Sequence, residues 1–111
     1  MPFVLDTDTS NVACGAVLSQ VQDGEENVVA YRSKMLSPEE QNYCTTRKEL
    51  LAIVKAVSHF RNYLYGHTFT VRTDHASLVW MLWTSEPRGQ VARWFETLLE
   101  YKFEVIHRMG V

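Results

Sequence analysis

At 111 residues the chain has room for one hydrophobic core and not for two. Its 46% apolar and 22% charged residues are those of an ordinary globular domain, and a formal net charge of −2 argues against long-range capture of nucleic acid while leaving local contacts open. Cys14 and Cys44 stand in no Cys-x-x-Cys or Cys/His zinc spacing, and no signal peptide, transmembrane span or lipidation motif occurs, so an intracellular, reducing setting is expected.

The first strand is expected over about residues 2–8, where Phe3-Val4-Leu5-Asp6-Thr7-Asp8 ends in a Thr-Asp pair before the polar Thr9-Ser10-Asn11. A second strand spans about 12–22, with Cys14 as a small core residue and Gly15 allowing a close backbone approach or a bulge. Asp23-Gly24 is a hairpin signal, because both central positions of a type I′ turn need positive φ. The third strand, 27–35, alternates polar with apolar residues in its second half, as an edge strand with one wet face would.

The period then changes. Ser37-Pro38-Glu39-Glu40 is a capping box with proline at the first helical position, expected to start one short turn. Thr46-Arg47-Lys48-Glu49 repeats the Thr-x-x-Glu start, and Leu50, Ile53, Val54, Val57, Phe60 and Leu64 fall on one face of a long helix over 46–65 that stops at Gly66. A strand follows over 69–74, again ending in Thr73-Asp74 before His75. Beyond it the pattern predicts a short helix over 76–82, and a second opening at Ser85-Glu86-Pro87 with Val91, Trp94, Phe95, Leu98 and Leu99 on one face. A last strand is predicted over 101–107.

A strand, a crossover helix and a strand imply parallel pairing, most simply beside the first strand. Both Thr-Asp ends would then share one sheet edge, where ligands of open α/β sheets sit. Glu49, placed in the first turn of the crossover helix, would join them. Converging acids suit hard divalent cations. Asp6 is assigned to solvent or the strand end, and Glu39 and Glu40 to helix starts.

Several segments together resemble a known family. They are Leu5-Asp6-Thr7-Asp8-Thr9-Ser10, Gly15-Ala16-Val17-Leu18-Ser19-Gln20, Ala30-Tyr31-Arg32-Ser33-Lys34, Thr46-Arg47-Lys48-Glu49-Leu50-Leu51-Ala52, Arg72-Thr73-Asp74-His75 and Ala92-Arg93-Trp94. In this order they resemble the ribonuclease H domain of reverse transcriptases from gypsy-type LTR retrotransposons, over almost the whole chain. The resemblance implies an α/β (α+β) fold, a five-stranded mixed sheet with flanking helices, as a single domain over 1–111. It implies hydrolysis of the RNA strand of an RNA–DNA hybrid, assisted by Mg²⁺ or Mn²⁺, in a polyprotein that also carries a polymerase domain. Asp8, Glu49 and Asp74 match the family's first three metal-binding, catalytic acids. The family's fourth acid lies in a final helix, and this sequence ends before that segment, so an incomplete two-ion site is expected.

Hybrid recognition of this kind uses backbone and short polar groups against 2′-hydroxyls. Thr9, Ser10, Asn11, Thr46 and His75 are the residues assigned to it, with Thr45 beside them and His107 as an auxiliary near the end. Arg32, Lys34, Arg72 and Arg88 are candidate phosphate contacts. Trp80 and Trp94 are assigned to the core, Trp83 to core or base stacking, and His59 and His67 to structure. No membrane contact is expected. A retroelement protein would act in the cytoplasm within a virus-like particle, and a domesticated one in the nucleus. The competing function is a catalytically impaired module of the same fold, kept for hybrid binding or assembly.

Overall fold

The computed structural model describes residues 2–73 and 89–107. Five strands among the described residues, β1 (Phe3–Thr9), β2 (Ala13–Gln22), β3 (Glu25–Met35), β4 (Thr68–Thr73) and β5 (Lys102–His107), form one mixed sheet in the order β3-β2-β1-β4-β5. β1 runs antiparallel to β2 and parallel to β4; β2 and β3 are antiparallel, and β4 and β5 parallel. The expected meander and crossover are both present, and β3 is an edge strand, with β5 at the opposite edge.

Asp23 (φ 53°) and Gly24 (φ 80°) both adopt positive φ, as a two-residue turn of this hand requires. Such a tight turn keeps pairing right up to Gln22↔Glu25, so β3 begins two residues earlier than its side-chain pattern indicates. A register shift at Leu18/Ser19 absorbs the twist farther along the hairpin.

Ser37 caps α1 (Pro38–Gln41): its hydroxyl accepts the Glu40 N–H at 3.1 Å while the Glu40 carboxylate accepts the Ser37 N–H at 2.8 Å. The long helix differs from expectation at both ends. α2 covers Thr45–His59, with Cys44 at its N-cap and no side-chain cap. Thr46 is therefore the second residue of the helix, not its cap, and Glu49 lies beyond the first turn. At the other end Phe60 leaves helical geometry (φ −96°, ψ 21°), and a separate single turn, α3 (Arg61–Leu64), follows. The break lets Phe60 and Leu64 both point into the core, where each is almost fully buried. Gly66 then takes the left-handed conformation (φ 83°) expected of a stop.

α2 packs on β1 and β2. Alternation sends Leu5, Thr7, Ala16, Leu18, Phe69 and Val71 to the helix-covered face of the sheet, and all are buried. Leu50, Ile53 and Val57 meet them from α2 without any exposed surface, each side chain contributing about 1.5–3 kcal/mol by burial. Cys14 lies in the same core. α4 (Gln90–Leu98) adds Trp94 and Leu98, with Val91 and Phe95 partly buried beside them. Leu99, expected on the same apolar face, is 83% exposed, because the helix ends one residue before it. The helix expected over 76–82, and Asp74, His75, Trp80, Trp83 and Arg88, lie outside the described residues.

Candidate metal and nucleic-acid site

The two ends of the crossover meet at one edge. Parallel pairing of Phe3↔Phe69 through Asp6↔Arg72 brings the carboxyl ends of β1 and β4 side by side, and Thr73↔His107 adds the end of β5. Thr7 and Thr73, one residue before the two aspartates of the expected site, are both fully buried on the α2 face. The burial of Thr7 turns its neighbour Asp8 toward the other face of the sheet.

Alternation along β1 separates its polar residues. Leu5, Thr7 and Thr9 face α2, whereas Asp6 and Asp8 take the opposite side. Thr9 donates its hydroxyl to Glu49 Oε1 at 2.6 Å, a short bond of the charge-assisted kind. Glu49 is only 6% exposed, and its Oε2 is buried as well. Burying a carboxylate is costly unless a cation or several donors compensate. Asp8 is exposed at the strand end, and its Oδ1 accepts the Thr9 N–H at 2.9 Å. Thr9 thus touches both acids, its amide on Asp8 and its hydroxyl on Glu49.

The donor set is all hard oxygen, two carboxylates and a hydroxyl, and one carboxylate is buried deeply enough to favour a neighbouring cation. Their oxygen chemistry suits Mg²⁺ or Mn²⁺, while among the described residues no three acids, histidines or cysteines come together as a metal site. Asp74, the third acid of the expected set, directly follows Thr73 but lies outside the described residues, as does His75.

The remaining assigned residues divide. Ser10 closes the β1–β2 turn: its N–H donates to Ala13 O at 2.8 Å, and its hydroxyl oxygen accepts the Val12 and Ala13 N–H groups at 3.3 and 3.1 Å. Asn11 is exposed at the tip of that turn, and Thr46 is half-buried in the first turn of α2. His107 ends β5 at the same edge.

Two readings change. Asp6 is not a solvated strand end: its carboxylate is gripped by Arg72 from the neighbouring strand, Nε to Oδ1 and Nη2 to Oδ2, both at 2.7 Å. The same guanidinium donates to Glu26 at 2.8 and 2.9 Å. Asp6 first, then Glu26, hold Arg72 charged well beyond its ordinary range. Arg72 is therefore committed to two carboxylates rather than to a phosphate. Arg32 likewise leans on α2, donating to Lys55 O at 3.4 Å, while Lys34 is exposed.

Sequence reasoning missed a cluster beside Glu49. The Arg47 guanidinium lies 4.2 Å from the Tyr43 ring centroid and 5.6 Å from that of Trp94. Gln90 Oε1 accepts from both Arg47 Nη2 and the Tyr43 hydroxyl, the latter at 3.1 Å. Spacings of four residues, Tyr43 to Arg47 and Gln90 to Trp94, were the signal available.

Residues 1–101 match the family model of the RNase H-like domain found in reverse transcriptase. The chain is 43% identical over 110 residues to the retrovirus-related Pol polyprotein from transposon opus of Drosophila melanogaster, covering 98% of this chain and 11% of the polyprotein. It therefore spans about a tenth of that relative's length. Among solved structures, the foamy viral protease-reverse transcriptase in complex with RNA/DNA hybrid superimposes with a TM-score of 0.72 at 17% identity, over 99% of this chain and 15% of that one. RNase H1 from Halobacterium salinarum NRC-1 superimposes with a TM-score of 0.59 at 17% identity, over 96% and 83% of the two chains. These structural likenesses agree with the five-stranded mixed sheet and its flanking helices. With its sheet order, its acid-bearing edge and the sequence match all in accord, the chain belongs to the RNase H-like domain family of reverse transcriptases, as carried by retrotransposon Pol polyproteins.

Proposed function

We propose that this domain is a metal-dependent endonuclease that hydrolyses the RNA strand of RNA–DNA hybrids, working beside a polymerase domain of the same polyprotein. The observation that carries the reading is the Thr9–Glu49 hydrogen bond, which holds a buried carboxylate against the last residue of β1, the sequence neighbour of Asp8, at the edge where β4 ends. Asp8, Glu49 and Asp74 would hold Mg²⁺ or Mn²⁺. The ion, when bound, supplies a water of lowered pKa and a Lewis acid for the scissile phosphate.

The chain's own residues do the orienting. Thr9 keeps one Glu49 oxygen occupied and so sets the direction of the other. Its amide does the same for Asp8. Asn11 and Thr46 are short polar groups flanking the acids and suit 2′-hydroxyl contacts across a shallow minor groove. His75, next to Asp74, and His107, at the end of β5, are assigned to phosphate contact and to an auxiliary role. Ser10 supports the turn that presents Asn11.

The test is cleavage of a labelled RNA–DNA hybrid in Mg²⁺ or Mn²⁺ by the 111-residue chain, by Asp8→Asn and Glu49→Gln variants, and by a version extended at its carboxyl end by a family-type helix bearing the fourth acid. Cleavage by the chain or its extension, abolished by Asp8→Asn, supports the nuclease. Hybrid binding by a folded protein with no cleavage in either version assigns the domain to binding or assembly instead.

A further inference from the structure

We propose that Arg47 is a positioning residue for Glu49, and that its clamp between Tyr43, Trp94 and Gln90 does the work that a side-chain cap does elsewhere. The inference rests on the reading of Glu49 as a metal ligand.

Among the described residues, α2 begins without a side-chain cap at its N-cap position. Cys44 occupies the N-cap position and makes no side-chain bond to the first turn, although this is the helix that delivers Glu49. An uncapped start frays, since its leading N–H groups have no intrahelical partners. Fraying would move a carboxylate placed just beyond the first turn. α1 shows the contrast, with a complete capping box on a single turn that carries no site residue.

Arg47 supplies the missing restraint from the side. It stands in the first turn of α2, two residues before Glu49. Tyr43, in the segment leading into the helix, and Trp94, in α4, tilt toward each other with centroids 6.1 Å apart, and the guanidinium lies against both rings. Gln90, in the first turn of α4, accepts from Arg47 and from Tyr43 with a single oxygen. Arg47 Nε is buried and has no hydrogen-bond partner among the described residues. Ring stacking and one forked acceptor therefore hold the group, an arrangement that suits a planar guanidinium and not an ammonium.

The clamp thus ties three places to one another: the entry to α2, its first turn, and the start of α4. Trp94 is buried, so the far side of the clamp is anchored in the core. Thr9 holds the Glu49 carboxylate from the sheet, and Arg47 holds the backbone that carries it from the helix side.

The experiment measures Mn²⁺ affinity by calorimetry on the full chain, with thermal midpoints and amide exchange at residues 46–50 recorded beside it. The variants are Arg47→Ala, Arg47→Lys, Gln90→Ala and Glu49→Gln. Gln90 is exposed, so its replacement spares the core even if Arg47→Ala destabilises the fold. Removal of groups that orient a metal ligand weakens affinity on the order of tenfold or more. Arg47→Ala and Gln90→Ala should weaken Mn²⁺ binding by about tenfold and severalfold and speed exchange at Lys48 and Glu49, with Arg47→Lys falling between wild type and Arg47→Ala. If Glu49→Gln abolishes binding while Arg47→Ala and Gln90→Ala bind as wild type does, the positioning role falls and the metal site stands. A lowered thermal midpoint with unchanged Mn²⁺ affinity also overturns it, making Arg47 a stability residue only. If the wild type binds no Mn²⁺, or Glu49→Gln binds equally well, the metal reading itself fails and takes this proposal with it.

Discussion

Thr9 and Glu49 are forty positions apart in the chain and share a 2.6 Å hydrogen bond across the sheet–helix boundary. One partner is the last residue of β1 and the other lies on α2, so the contact exists only when the crossover has folded. It is a tertiary contact made by the site itself.

Removing the Thr9 hydroxyl should therefore be felt in stability as well as in metal binding. Thr9→Val keeps the shape but strips a buried carboxylate of a donor, an expected loss of about 1–3 kcal/mol. Thr9→Ser should retain most of it. Urea denaturation of the two variants makes the comparison, and equal midpoints would show that the bond contributes nothing net.

The Arg72 fork predicts an unequal pair of couplings. Asp6 and Arg72 are 15% and 26% exposed at their side chains and meet through two bonds, whereas Glu26 is 43% exposed. A double-mutant cycle with Asp6→Asn and Arg72→Met should give roughly 1–2 kcal/mol of coupling, and the cycle with Glu26→Gln less than about 1 kcal/mol. Reversal of that order would mean that exposure is not what separates them.

Glu40 sets a pH dependence. Burial works to raise its pKa, but the Ser37 N–H and the Lys55 ammonium, 3.1 Å away, outweigh burial and hold it below the ordinary glutamate value. A depressed folded-state pKa means stability that is present above the unfolded value, near pH 4.3, and lost as pH falls through the folded one. Wild type should exceed Glu40→Gln by about 0.5–1 kcal/mol at pH 7, with the difference vanishing only below the usual glutamate range. Chemical denaturation between about pH 2 and 7 follows it; a gap that persists at the acid end would assign the effect to packing.

The cysteines should part in reactivity. Burial, above all, pushes the Cys14 thiol up, while Cys44 is exposed at the start of α2. Iodoacetamide at pH 8 should label Cys44 in the folded protein and reach Cys14 only with denaturant, as mass spectrometry of the intact chain would show. Rapid labelling of both in native buffer would contradict the burial of Cys14.

Much of this architecture could be read from residues alone, for definite reasons. The Asp23-Gly24 turn, the Ser37 capping box and the Leu50–Val57 face are local signals, and each was met where it was expected. The parallel pairing of β1 with β4 followed from the crossover rule. What escaped depends on distant neighbours. Nothing near Asp6 in sequence announces Arg72, because the pair forms between strands 66 positions apart. Thr46 has the sequence form of a cap, yet the helix starts one residue earlier, at Thr45. Asp8 and Thr9 were grouped as neighbours, and strand alternation puts them on opposite faces.

The same crossover dictates an order of events during synthesis. β1, β2 and β3 are consecutive and can pair as soon as they leave the ribosome, whereas Phe3 must wait for Phe69 and Asp6 for Arg72. Closing so long a loop is slow, and pairing of this range comes late in folding. Until β4 arrives, β1 stands with one long side unpaired, a template for any other extended chain nearby. The nascent chain thus passes through an interval in which the hairpin sheet exists and the acid-bearing edge does not, and a chaperone that shields β1 would decide how many chains survive it.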